Sequence, residues 1–277
     1  MERVHDLSNA ESISSTGTAV AAAPLALEAR RIHHEYVKDR TASTAIEDIS
    51  IEVRQGEVVC VVGPSGCGKS TLLRILAGLL TPTSGEVLVG DELVDGVPRS
   101  IGVVFQDYSR SLFAWMTVAD NVEFVLRHSA LSKSERRERV AESLEAVGLA
   151  SAASKYPWEL SGGMQQRVAI ARCLAYRPTI MLMDEPFASV DAQTRFELED
   201  LVLRVRREFD MTILLVTHDI DESVYLSDRV VALTGSPSSV CEVFENDLPW
   251  PRQQIETRAQ PRFVELRAQV ASTLVKP

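Results

Sequence analysis

The sequence predicts an α/β domain with a mainly parallel core sheet. Two observations carry this: short, continuous apolar runs typical of strands covered on both faces, and amphipathic helical stretches between them. Residues 1–24 are rich in Ser, Thr and Ala without apolar periodicity and read as a flexible tail. Ile46–Val53 alternates apolar and polar residues for most of its length, as a half-buried strand does. Glu57–Val62 follows as a continuous apolar run, then Lys69–Leu80 as a helix closed by the turn-rich residues 81–85. Further buried strands are expected at Ile101–Phe105, Ile180–Met183, Thr212–Val216 and Arg229–Leu233. A helix over Ala192–Phe209 places Leu198, Leu201, Val202, Val205 and Phe209 on one face. Residues from about 117 to 175 contain no convincing strand and read as an inserted helical subdomain, with Ser132–Arg139 as its solvated face. The domain is expected to span 25–247, with 248–277 as a C-terminal extension.

Composition narrows the function classes. The chain has 277 residues, 45% of them apolar and 25% charged, as in ordinary globular proteins. A net charge of −10 and an isoelectric point near 5.1 argue against a general nucleic-acid binder, which needs a basic face. No apolar run approaches the roughly 18 residues that span a bilayer. Glu2, Asp6 and Glu11 are the wrong chemistry for the start of a secretory signal. The four cysteines (60, 67, 173 and 241) form no C-x-x-C pair, so reduced thiols are expected rather than a disulfide or metal framework. The charge is uneven: from Leu248 onward it is +3, which reads as a solvated terminal strap or, alternatively, a contact for an anionic lipid or regulator.

The sharpest local signal is Gly63-Pro64-Ser65-Gly66-Cys67-Gly68-Lys69-Ser70-Thr71, placed between a buried strand and a helix. It fits G-x-x-x-x-G-K-[ST], a loop that binds nucleotide phosphates. Glycines let the backbone turn so that its N–H groups converge on phosphate oxygens, and the following helix end adds positive potential. Lys69 would reach the β- and γ-phosphates and the Ser70 hydroxyl would bind Mg2+. Ile180–Met183 then leads into Asp184 and Glu185, two carboxylates at a strand end. Asp184 is placed to hold Mg2+, and Glu185 is the candidate base for an attacking water. Cys67, inside the loop, is expected to make nucleotide binding sensitive to thiol alkylation, with Mg-ATP protecting.

Leu160-Ser161-Gly162-Gly163-Met164-Gln165-Gln166-Arg167 precedes the second acidic strand, and here the chain resembles the ATP-binding cassette (ABC) ATPases. Their LSGGQ-type motif occurs at this place, with Met164 standing where Gln is commoner. The resemblance implies a P-loop NTPase fold with an antiparallel β part and an inserted helical subdomain, ATP and Mg2+ as ligands, and two cassettes paired head-to-tail. Ser161, Gly162 and Gly163 of one copy would then meet the γ-phosphate held by the other. It further implies that Gln106 is a Mg2+ and water ligand and that Asp191 of Ser189-Val190-Asp191 lies at the dimer interface. His218 would hold Glu185 and the water in place, and Tyr36 would stack on adenine.

Finer resemblance lies in Gln106-Asp107-Tyr108, Trp115–Val122, Glu185–Arg195 and Asp247–Arg252 with Ile255–Arg258 and Phe263–Arg267. These look like the ATPases of nitrate, sulfonate and taurine importers. The expectation that follows is an ATP-hydrolysing subunit that docks on separate integral-membrane permease subunits at the cytoplasmic face of the inner membrane. A second copy of the chain is its direct partner, a solute-binding protein is an indirect one, and no nucleic acid is involved. The alternatives are an importer ATPase for another solute class and a soluble, non-transport ABC ATPase, the latter disfavoured because the chain has one cassette and no heptad run.

Overall fold

The computed structural model describes residues 23–38, 41–107 and 111–275. The expected tail at 1–24 therefore lies outside the described residues except for 23 and 24, as does Tyr108. In chain order the elements are β1 (Leu25–Lys38), β2 (Thr41–Arg54), β3 (Val58–Val62), α1 (Lys69–Leu76), β4 (Ser84–Val89), β5 (Glu92–Leu93) and β6 (Ile101–Val104). Then follow α2 (Val118–Glu123), α3 (Lys133–Ala146), α4 (Gly162–Tyr176), β7 (Ile180–Asp184), α5 (Ala192–Phe209) and β8 (Thr212–Thr217). The described chain closes with α6 (Ile220–Leu226), β9 (Arg229–Leu233), β10 (Ser238–Glu245), α7 (Gln254–Arg258) and α8 (Pro261–Val275).

The strands form one sheet in the order β5-β4-β1-β2-β10-β9-β3-β8-β7-β6. From β9 to β6 every neighbouring pair is parallel, and β10 joins this half to an antiparallel β2-β1-β4-β5 half. The continuous apolar runs are explained by cores on both faces. Val58, Cys60 and Val62 of β3 point into one hydrophobic cluster, while Val59 and Val61 point into another. Helix α1 packs on the second cluster; α4, α5 and α6 pack on the first. Between β6 and β7 the described residues form α2, α3, α4 and short 3-10 turns, without a strand.

Several boundaries differ from expectation, and β2 begins at Thr41 rather than Ile46. Helix α1 stops at Leu76 rather than Leu80, because Gly78 takes a left-handed conformation (φ +68°). The Gly78 amide donates to Ile75 O at 3.0 Å and the Leu79 amide to Arg74 O at 2.9 Å, the bonds of a Schellman stop. Strand β6 ends at Val104, leaving Phe105 exposed beside Gln106.

The C-terminal segment is not a solvated strap. Leu248, Phe263, Leu266 and Val270 are buried in the same cluster as β3 and β7. Arg252 is buried too, donating to the Tyr225 and Ser227 carbonyls at 2.8 and 2.7 Å, with its guanidinium 4.0 Å from the centre of the Trp250 ring. Burial lowers its pKa to about 10. Arg258 pairs with the buried Glu199 at 2.7 Å, and Arg262 with Asp247 at 2.6 Å. Arg252 and Arg258, two of the five basic residues, are thus consumed in holding this segment to α5 and α6.

Candidate functional site

The predicted site residues collect at the carboxyl ends of parallel strands, where an open α/β sheet presents its crevice. Gly63 follows β3, Asp184 ends β7, His218 follows β8, and Gln106 lies two residues beyond β6. The loop from Gly63 to Gly68 needs its last glycine for two reasons. Gly68 has φ +103°, and a Cβ there would stand 2.9 Å from Ala45 O. Lys69 curls back over the loop, its buried Nζ donating to Gly63 O at 2.8 Å and Pro64 O at 3.0 Å. Cys67 Sγ is packed beneath this loop, and burial pushes its thiol up. A neutral, covered thiol is a poor nucleophile, so the alkylation sensitivity expected of Cys67 is not supported; Cys241 is the exposed cysteine.

Three side chains converge on the Glu185 carboxylate. Gln106 Nε2 donates to Glu185 Oε2 at 3.2 Å, and His218 Nδ1 lies 3.1 Å from the same oxygen. Lys69 Nζ stands 3.8 Å from Glu185 Oε1. Alongside, the Ser70 hydroxyl donates to Asp184 Oδ1 at 2.9 Å. Glu185 occupies a left-handed conformation (φ +42°), held by its amide donating to Val216 O at 2.9 Å. Such backbone costs about 1–3 kcal/mol for a non-glycine residue, and it turns the side chain out of β7 toward His218 and Gln106. Asp184 is buried, and desolvation pushes its carboxyl up despite the Ser70 bond. A buried carboxylate beside a hydroxyl oxygen is a hard-oxygen pair of the kind Mg2+ accepts, and a cation there would relieve the desolvation.

Tyr36 lies at the rim of this loop, half-exposed, and its hydroxyl shares a 3.1 Å hydrogen bond with Thr71 Oγ1. The buried His34 ring supports it edge-on, with centroids 4.7 Å apart. Ser161, Gly162, Gly163 and Asp191 make no hydrogen bond or ion pair with the phosphate loop among the described residues. They stand instead on a second structure. Ser161 caps α4 by accepting from the Met164 amide at 3.3 Å. Asp191 caps α5, accepting from the Gln193 and Thr194 amides at 3.1 and 3.0 Å. These caps meet: a Cβ on Gly163 would stand 2.3 Å from Thr194 Cγ2, so glycine is needed there for packing as well.

Several supporting residues escape sequence reasoning. Asn121 is fully buried and donates to Phe113, Met116 and Thr117 carbonyls at 3.1, 3.2 and 3.0 Å, shaping the turn that presents Trp115. Arg172 donates to Ser111 O at 2.6 Å from the core side of α4. Arg195 and Glu222 pair behind His218. An Asn or Arg in an amphipathic helix carries no local sign of such contacts.

A family model described as ABC transporter matches residues 46–188. An ABC transporter ATP-binding protein of Methanocaldococcus jannaschii, described as uncharacterized, is 47% identical over 83% of this chain and 84% of its own. A nitrate import ATP-binding protein of Synechocystis sp. is 40% identical over 90% of this chain and 94% of its own. Among solved structures, a dimeric ATP-binding cassette in a post-hydrolysis state with ADP and Pi superposes with a TM-score of 0.70. It is 32% identical and covers 79% of this chain and 98% of its own. The phosphate loop, the acidic strand end and these matches place the chain in the ABC transporter family, as one of its ATP-binding, ATP-hydrolysing subunits.

Proposed function

We propose that this chain powers an importer of a small anionic solute of the nitrate, sulfonate or taurine kind. In this reading it acts from the cytoplasmic face of the membrane through separate permease subunits. The observation that carries the reading is the similarity to a nitrate import ATP-binding protein over 90% of this chain and 94% of that one. No helix of the described residues is long and apolar enough to cross a membrane, so a transport role requires partners that do. In this reading the permease docks on the stretch of chain that follows Gln106. Trp115 is 72% exposed on the turn that Asn121 holds, a few residues after Gln106 and the exposed Phe105. A solute-binding protein would act only through the permease.

In the proposed cycle two copies pair with ATP between them. Tyr36 stacks on adenine, and the amides of Gly63, Pro64, Ser65, Gly66, Cys67 and Gly68 with Lys69 and Thr71 cradle the phosphates. Ser161, Gly162 and Gly163 of the second copy close over the γ-phosphate, with Asp191 at the same interface. The Mg2+ site would be made by Ser70, Asp184 and Gln106, and the ion would neutralise charge developing on the phosphate oxygens. Glu185 takes the proton from the attacking water, while His218 and Gln106, both on its Oε2, hold that carboxylate in line.

Tyr36→Ala is expected to weaken ATP binding by about 5- to 100-fold, the worth of one base–aromatic stack, while inorganic tripolyphosphate binds as before. Calorimetry with both ligands checks it. The transport reading is tested by reconstituting the chain with permease subunits and a solute-binding protein in vesicles. Nitrate or a sulfonate should stimulate ATP hydrolysis. Stimulation by a sugar or amino acid alone would replace the solute class, and failure to associate with any permease would favour a non-transport ATPase.

A further inference from the structure

Arg195 lies on the first turn of α5, four residues beyond Asp191, and reaches across to the segment after β8. Its Nη1 donates to Asp219 Oδ2 at 3.0 Å, and its Nε lies 3.6 Å from Glu222 Oε1. Those two carboxylates are bound up with both chain neighbours of His218. Thr217 Oγ1 donates to Glu222 Oε2 at 2.7 Å and accepts from the Asp219 amide at 3.0 Å. The Glu222 amide donates to Asp219 Oδ1 at 3.1 Å. His218 therefore projects toward Glu185 from backbone that is tied on each side, and the cation of that network belongs to a different element, α5.

Glu222 is an expensive residue at this position. It is 4% exposed, and burial pushes its carboxyl up to about 7. Asp219 at the head of its own helix and Glu199 on α5 raise it further, while Thr217 on β8 and Arg195 lower it; the Cys60 thiol of β3 also faces it. A neutral isostere would fold more easily here. The charge makes sense if its pairing with Arg195 serves the reaction.

We propose that Arg195 is a positioning residue for hydrolysis: with Asp219 and Glu222 it clamps the segment on both sides of His218, so that the ring's placement against Glu185 follows the placement of Asp191. The inference rests on the assignment of His218 and Glu185 to hydrolysis made above. If residues 189–191 meet a second copy, the clamp carries the state of that contact to the hydrolytic carboxylate without touching nucleotide.

The test combines ATPase rates and ATP affinities for Arg195→Gln, Arg195→Lys and Glu222→Gln, the first also in a His218→Ala background. Arg195→Gln is expected to lower kcat by about 10- to 100-fold, the usual loss when a support behind a functional side chain is removed. ATP affinity should stay within about twofold, and Arg195→Lys should recover part of the rate. In the His218→Ala background the same substitution should cost less than about a further twofold, because it acts through His218. Glu222→Gln should lower kcat and yet raise the urea midpoint at pH 8. That gain should shrink toward pH 5, since a carboxyl raised in the folded chain costs its full stability above the folded pKa of about 7, less as pH falls, and nothing below its ordinary unfolded pKa. Should Arg195→Gln fail to fold, Glu222→Gln carries the test alone. Equal rate losses in both backgrounds, an affinity loss matching the rate loss, or a Glu222→Gln chain with wild-type kcat would overturn the clamp. Wild-type hydrolysis by His218→Ala would instead remove the assignment of His218, and the clamp with it.

Discussion

Replacing Glu185 by Gln is expected to lower kcat for ATP hydrolysis by about 100- to 10,000-fold with ATP affinity nearly unchanged. Gln is close to Glu in shape and can still meet Gln106 and His218, which now both address Oε2 at 3.2 and 3.1 Å. What it lacks is a basic oxygen that takes a proton from water. Nor does the substitution disturb Ser70 and Asp184, whose 2.9 Å bond lies outside the Glu185 contacts. Binding energy and hydrolysis are therefore separable at this residue: a chain that closes on ATP but cannot hydrolyse it should accumulate in the closed form. A steady-state phosphate-release assay cannot tell slow chemistry from slow closure, so hydrolysis of pre-bound ATP in a single turnover is the check. A wild-type single-turnover rate would remove Glu185 from the reaction.

Lys69→Ala is the second large effect, and it falls on binding. The ammonium is buried over the loop, donating to Gly63 O and Pro64 O at 2.8 and 3.0 Å. In the proposed complex it turns to the β- and γ-phosphates, and a charge-assisted contact of that kind is worth about 1.5–3 kcal/mol. ATP affinity should drop by about 10- to 100-fold, measured by calorimetry with AMP as the control that barely changes. Removing Lys69 also leaves two loop carbonyls without their donor, which would lower stability. A melting curve separates the two effects, because Lys69→Met keeps the buried stem and should melt closer to wild type than Lys69→Ala. Unaltered ATP affinity in both variants would contradict the role given to Lys69.

The phosphate loop was legible in the sequence because its chemistry is local. Glycine at 68 is demanded by a positive φ and a close Ala45 carbonyl, and lysine follows directly. The parallel strands were legible because Val58–Val62 and Ile180–Asp184 are buried on both faces and so read as unbroken apolar runs. Strand β1 was not legible. Arg31 takes φ +49°, and register shifts between Ala29 and Ile32 and again around His34 break the period of two that would have marked it. The C-terminal segment misled for another reason. A count of charges cannot say that Arg252 faces carbonyls of α6 or that Arg258 faces Glu199, since those partners come from remote stretches of chain. The same holds for Arg195 and Glu222: their pairing exists only once α5 and the segment after β8 are side by side. Site roles tied to a loop motif are readable one-dimensionally, whereas the residues that hold such loops in place are not.

The phosphate loop and the Ser161–Gly163 cap, which share no hydrogen bond or ion pair among the described residues of one chain, are proposed to complete each other across two copies. This pairing is tested most directly by the mass of the Glu185→Gln chain in solution, by light scattering, with and without Mg-ATP. A monomer that becomes a dimer on adding ATP, and remains monomeric with ATP when Ser161 is also changed to Arg, is the expected result. A chain that binds ATP stoichiometrically and stays monomeric would contradict it.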